Sequence, residues 1–201
     1  MSKTILFVDG SNLYGGFTEI LKPGEYFDFS SFLKIMEKDF KIDQVNFYGT
    51  YMRIDKRKSK EIHKLSVMAQ KAFFDSAKRN PKVKFTKGHF SGFGKEKAVD
   101  VKLAVDIAVG AARNEYKEAI IMTGDADFIY AVRTAKNEGK PVHLAAFCTR
   151  FPYGMFFSAD QKIVYDFGRY FKKHILPNLK FKPKNLIIKE ISPKIKIKVI
   201  K

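Results

Sequence analysis

Cysteine is nearly absent from this chain. The one thiol, Cys148, has no second cysteine with which to close an internal disulfide, which suits a reducing compartment such as the cytoplasm. A lone cysteine reads first as a small buried hydrophobe. Long apolar runs are also missing: none approaches the about 18 residues that a membrane-spanning helix needs. The opening residues 1–10 carry one lysine and a short apolar run that stops at Asp9, where a secretory leader would continue towards small residues. A soluble cytoplasmic protein without a membrane partner is therefore expected. His63, His89, His143 and His174 show no zinc-like spacing with one another or with Cys148. Gly92 and Gly94 lack the third glycine of a dinucleotide-binding turn, and no internal repeat is visible. Acids are scarce beside bases, 21 against 38, which leaves a net charge of +17 and a pI near 9.8. Such a chain is drawn to polyanions, of which nucleic acid is the commonest in a cell. The bland alternative is a lysine-rich, soluble surface.

What is present is enough for one ordinary domain: 201 residues, of which 45% are apolar. Strand and helix signals alternate. Residues 4–8 are a β-rich apolar run ended by Asp9-Gly10, and Ser11 or Asn12 can cap a helix reaching about Leu21. Asp28 and Ser30 can cap a helix over 31–39. A strand over 45–51 precedes an amphipathic helix over 57–79, in which Ile62, Leu65, Ala69, Ala72 and Phe73 recur at helical spacing. A strand over 82–86, a helix over 99–113, a strand at 120–122, a helix over 125–138 and a strand over 141–146 follow. Residues 159–175 read as a last helix, with Ile163, Phe167, Tyr170 and Phe171 on one face. This alternation predicts an α/β protein, a three-layer α/β/α Rossmann-like fold on a mainly parallel five-stranded sheet, because buried parallel strands read as continuous apolar runs. The composition shifts at Pro177. Residues 1–176 are expected to form the domain, and 177–201 a basic tail whose alternating residues 194–201 form either an added edge strand or a free arm. Such a strand can also pair with another chain, which makes a homo-oligomer one of the expectations.

Ligands of open α/β sheets bind beyond the carboxyl ends of the strands. Asp9 follows the first strand, and Asp125 and Asp127 follow the fourth, while Asp100 and Asp106 lie on the helix that leads into it. If the first and fourth strands are neighbours, these carboxylates converge. Clustered carboxylates repel one another and need a counter-charge, which a hard divalent cation such as Mg²⁺ or Mn²⁺ supplies through oxygen ligands. Each aspartate taken alone is equally readable as a helix cap. Asp100 and Asp106 are six residues apart, about 240° around a regular helix, so the two compete for one direction; Asp106 is favoured slightly as the ligand that faces the metal.

Three blocks then matter together: Asp9-Gly10-Ser11-Asn12-Leu13, residues 97–103 with Asp106, and Thr123-Gly124-Asp125-Ala126-Asp127-Phe128. In this order and spacing they resemble the NYN domain family of PIN-like nucleases, most closely its LabA-like branch, over roughly residues 4–172. Ala98 departs from the glycine usual before the Val-Asp pair, and residues 158–167 resemble the closing helix of the family. The resemblance implies a PIN-like fold, a Mg²⁺ or Mn²⁺ site at Asp9, Asp100, Asp106, Asp125 and Asp127 with Asn12 as polar partner, and cleavage of RNA more than DNA. Ser11, Asn12 and Thr123 are candidates for holding the metal water or the scissile phosphate beside a helix N-terminus. Lys56, Arg57, Lys58, Lys95, Lys97 and Arg150 are candidates for the nucleic-acid backbone, because phosphates favour cations and unpaired bases stack on the aromatic residues between them. A haloacid-dehalogenase type of phosphatase is disfavoured, since its second aspartate would stand where Ser11 does.

Overall fold

The computed structural model describes residues 3–53, 60–90, 96–97, 99–181, 183–191 and 197–200. Its strands are β1 (Lys3–Asp9), β2 (Glu25–Phe27), β3 (Gln44–Gly49), β4 (Val83–Lys87), β5 (His89–Phe90), β6 (Glu96–Lys97), β7 (Tyr116–Met122), β8 (Val142–Phe147), β9 (Lys162–Phe167), β10 (Leu186–Ile191) and β11 (Ile197–Val199). Its helices are α1 (Gly10–Thr18), α2 (Phe29–Met36), α3 (Lys60–Lys78), α4 (Val99–Ala112), α5 (Ile129–Asn137) and α6 (Tyr153–Phe156). Among the described residues no helix is long and apolar enough to cross a membrane.

The central sheet runs β10-β9-β8-β7-β1-β3-β4, with every neighbouring pair parallel. The chain starts in the middle at β1, winds outward to β4, then crosses back to β7 on the other side of β1. Right-handed crossovers in opposite directions put helices on both faces. One face carries α1, α2 and α3 over a phenylalanine-rich core, in which Phe17 meets Phe27, Phe73 and Phe147 edge to face. The other carries α4 and α5, packed on each other. Cys148 is fully buried, as a small hydrophobe would be.

The sheet has seven strands, two more than the sequence predicts. The first extra strand, β9, replaces the helix expected over 159–175. Ile163, Val164 and Tyr165 are all buried, so both faces of the segment are covered and its apolar run needs no period. Gly168 and Arg169 then take positive φ angles of 60° and 61°, which no continuous right-handed helix accommodates. The spacing of Ile163, Phe167 and Phe171 mimicked a helical face because strand, turn and a short π-helical segment (Phe171–Ile175) follow one another. The closing helix implied by the family resemblance is absent there for the same reason. The second extra strand, β10, lies within the basic tail and pairs in parallel with β9. The end of the tail forms β11, which pairs antiparallel with β2, and Lys198 Nζ lies 2.9 Å from Asp28 Oδ1.

Candidate active site

The order of the strands reverses at β1, so the connections that leave β1 and its neighbour β7 run to opposite faces of the sheet. Open α/β sheets bind ligands at such a switch point. Asp9 ends β1 and caps α1. Its Oδ1 accepts from the backbone N–H of Asn12 at 3.0 Å and its Oδ2 from the Thr123 hydroxyl at 3.0 Å. The helix can start this close to the sheet only because residue 10 is glycine: a Cβ there would stand 2.1 Å from the Phe47 ring and 2.7 Å from the Tyr48 carbonyl oxygen. Asn12 Oδ1 accepts from Gly124 N–H at 2.8 Å, tying the first turn of α1 to the loop after β7. Gly124 is similarly confined, with Arg150 Cβ only 2.4 Å from where its own Cβ would be.

Asp9 is 5% exposed. Burial pushes its carboxyl up from the ordinary 3.8 to about 6; the bonds from Asn12 and Thr123 oppose this, and the negative charges of Asp100 and Asp125 add to it. Those two carboxylates are thus within electrostatic reach of Asp9. Asp125 follows β7, and its Oδ1 caps the short turn Ala126–Phe128 by accepting from Asp127 N–H at 2.9 Å. Asp127 is exposed on that turn, and Asp100 is exposed in the first turn of α4.

Asp106 faces elsewhere. Its Oδ2 accepts from the Tyr48 hydroxyl at 2.7 Å, and its Oδ1 pairs with Lys102. The 240° between the two α4 aspartates is resolved by placing them on opposite flanks of the helix. Asp100 bears on Asp9, and Asp106 lies over β3. Thr123 is 3% exposed, and its hydroxyl is engaged by Asp9 and by Asp125 N–H at 3.1 Å. It positions carboxylates and presents no open surface to a substrate. Ser11 Oγ accepts from Thr50 N–H at 3.3 Å, linking α1 to the end of β3.

Among the described residues no three His, Cys, Asp or Glu side chains are close enough to enclose one ion. The chemistry of the donors still suits a hard cation. They are carboxylate oxygens, and the most buried of them is raised in pKa by burial and by like charge. Burial first and like charge second disfavour the ionised form, and a bound cation would offset both.

The surrounding cations are only partly those expected. Arg150 follows β8 and lies across α1 at Gly15 and Gly16, with Nη2 2.5 Å from Glu19 Oε1. Its Nε is buried without a hydrogen-bond partner among the described residues. Lys56, Arg57, Lys58 and Lys95 lie outside the described residues, and Lys97 stands in β6 opposite His89. A cationic and aromatic cleft that sequence reading missed runs along α3 beside the β4 edge. Lys78 Nζ lies 4.8 Å from the centroid of the Tyr51 ring and 4.5 Å from that of Phe85, and Lys87 Nζ lies 5.7 Å from that of Tyr51. Met52, Val67, Lys71 and Asp75 also line it, with Lys71 Nζ 2.6 Å from Asp75 Oδ2. The one signal for it was the seven-residue interval between Lys71 and Lys78, which puts both on one side of α3.

The family model for the NYN domain matches residues 3–166. The chain belongs to the NYN domain family. NYN domains form part of the PIN-like nuclease superfamily and are generally nucleases. No curated protein matches the sequence. Among solved structures, a Vibrio parahaemolyticus protein of unknown function is similar, with a TM-score of 0.57 and 18% identity over 82% of this chain and 94% of that one. At that identity the likeness is one of fold. The NYN match ends within β9, so β10 and β11 are additions beyond it.

Proposed function

We propose that this NYN domain is a metal-dependent ribonuclease that hydrolyses phosphodiester bonds of single-stranded RNA. The observation that carries the reading is Asp9: a buried carboxylate at the switch point, raised in pKa and facing the charges of Asp100 and Asp125. Asp9, Asp100 and Asp125, with Asp127 beside them, are the residues that would hold Mg²⁺ or Mn²⁺. Such an ion, when bound, lowers the pKa of a water and stabilises charge on phosphate oxygens.

The other roles belong to the chain itself. Thr123 and the Asn12 N–H aim the two oxygens of Asp9 and keep it from turning into the core. Asn12, through Gly124, fixes the loop that carries Asp125 and Asp127. Asp127, exposed on the turn that Asp125 caps, would orient the attacking water. Asp106 supports α4 through Tyr48 and Lys102 and is outside the reacting groups. Arg150, Lys78 and Lys87 supply phosphate contacts, and Tyr51 offers a stacking face to an unpaired base, a combination that suits single strands. Lys56, Arg57, Lys58, Lys95 and Lys97 remain candidates for extending that path.

Purified protein, Asp9→Asn and Asp125→Asn are incubated with labelled single-stranded RNA and Mn²⁺, beside a labelled single-stranded DNA. Cleavage by the wild type alone, with RNA preferred, is expected. Equal cleavage by all three proteins would mean a contaminant and overturn the reading. The open spacing of the carboxylates favours one other reading, a catalytically silent NYN domain that binds RNA. RNA retention without cleavage by any of the three proteins would select it.

A further inference from the structure

The NYN match ends at residue 166, and the chain that follows changes character. No acid stands between Asp166 and Glu190, while seven lysines and arginines do. Arg169, Lys173, Lys180 and Lys184 are exposed, and none of the four forms an ion pair among the described residues. Lys71, Lys82, Lys136 and Arg150, by contrast, are met by Asp75, Glu37, Asp160 and Glu19. Cations left without a carboxylate form a positive surface that attracts an external anion. Two rings are exposed beside them: Phe157, just after α6, is 54% exposed and Phe181 69%. Tyr153 holds both. Its ring lies 5.5 Å from that of Phe157. Its hydroxyl accepts from Phe181 N–H at 2.8 Å and donates to the Phe181 carbonyl oxygen at 3.0 Å. The backbone at Phe181 is thus tied down while its ring stays in solvent. Phe171 anchors the start of the segment against Phe151, with 5.1 Å between the ring centroids.

We propose that Phe157 and Phe181, with Arg169, Lys173, Lys180 and Lys184, form a second surface for single-stranded nucleic acid, on the far side of the acids from the Tyr51 cleft. The cations take backbone phosphates, and the two rings stack on bases. Stacking needs bases free of a partner strand, which selects single strands over a duplex. An acidic protein segment or an anionic membrane would share the charge, but the place in the fold favours nucleic acid. Helix α6, on which the segment rests, packs against the turn Ala126–Phe128 that carries Asp127. In the sheet, β8 leads into α6, and β7 and β1 separate it from β3 and β4, which border the Tyr51 cleft. The two surfaces therefore flank the acids, and a strand lying at the acids continues onto this one. The proposal rests on the nucleic-acid part of the nuclease reading and is independent of cleavage.

The test is titration of a labelled single-stranded RNA with the full chain in chelator, where metal-dependent cleavage does not intervene. Phe181→Ala is expected to weaken binding about five- to a hundredfold, the loss of one stacked base, and Phe181→Tyr to retain it. Lys173→Ala combined with Lys180→Ala lowers the slope of log affinity against log salt by about 1.4. Melting temperatures stay at the wild-type value, because all three positions are exposed. RNA carrying 5-iodouridine gives a position-specific readout: irradiation cross-links it to the segment around Phe181, and Phe181→Ala loses that link. Full binding by Phe181→Ala and by the double lysine variant, with loss confined to Lys78→Ala, overturns the proposal and leaves the nuclease reading standing. Loss of binding in the segment variants, with no cleavage by the wild type in Mn²⁺, overturns the nuclease reading and supports this one. A wild type that retains no RNA, or that binds phosphatidylserine vesicles instead, overturns the proposal.

Discussion

The Thr123 hydroxyl donates to Asp9 Oδ2 at 3.0 Å, joining the end of β7 to the end of β1 across the switch point. Two residues 114 positions apart in sequence thereby set the direction of the most buried acid. Thr123→Val keeps the shape and removes the donor. The Asp9 carboxylate loses one of the two bonds that hold its pKa down, so the acid limb of the pH–rate profile for RNA cleavage moves to higher pH. A hydrogen bond to a charged group contributes about 1.5–3 kcal/mol, which sets an upward shift of about one to two pH units. Thr123→Ser restores the wild-type limb; an unmoved limb in Thr123→Val removes Thr123 from this role.

The buried carboxyl of Asp9 makes stability depend on pH. Between the ordinary carboxyl value of 3.8 and its folded value of about 6, the folded chain holds a proton that the unfolded chain has released. The contribution of Asp9 is therefore fully present below about pH 4 and is lost as pH rises through about 6. Its ionisation costs on the order of 2–3 kcal/mol at neutral pH without metal. Asp9→Asn should unfold at a higher temperature than the wild type at pH 7.5, and the gap should close near pH 4. Thermal scans in chelator at both pH values check this, and a variant less stable at pH 7.5 contradicts it.

Metal is expected to reverse the comparison. A cation held by Asp9 stabilises the folded chain by mass action and favours the ionised carboxylate. Mn²⁺ at millimolar concentration should raise the melting temperature of the wild type while leaving that of Asp9→Asn in place. Equal shifts in both proteins would place the ion elsewhere.

Asp100 and Asp106 should separate cleanly. Asp100→Asn is expected to lower cleavage at least a hundredfold with little change in stability, since the side chain is exposed. Asp106→Asn weakens the charge-assisted bond from Tyr48 and the pair with Lys102, which corresponds to about 1–2 kcal/mol of stability; cleavage should stay within a few-fold of wild type. Denaturant melts and initial rates on both variants decide the matter, and an inactive but stable Asp106→Asn would return that residue to the reacting centre.

Lys78 and Lys87 should act on binding alone. Replacing either by alanine removes about one phosphate contact and reduces the slope of log affinity against log salt by about 0.7 for a single strand. KM rises and kcat is preserved. RNA-binding titrations over a salt series test this directly; an unchanged slope in both variants would exclude the cleft beside α3 from the substrate path.

Much of the centre was legible in the one-dimensional order of residues because its determinants are local. A strand followed by aspartate, glycine and a capped helix puts a carboxylate at a strand end whatever surrounds it, and Asp9-Gly10 and Gly124-Asp125 carry that information in a few residues. The alternation of elements predicts the α/β class, and the excess of lysine predicts a polyanionic partner. Tertiary structure decided what depends on neighbours distant in sequence. The adjacency of β1 and β7 brings Asp9 beside Thr123 and Asp125 and buries Asp9 enough to raise its pKa. Packing of α4 over β1 and β3 sends Asp100 to one flank and Asp106 to the other, a choice that the interval of six residues leaves open. Burial on both faces makes residues 162–167 a strand where their spacing also fits a helix, and the lysines around Tyr51 gather only because α3 and β4 lie side by side.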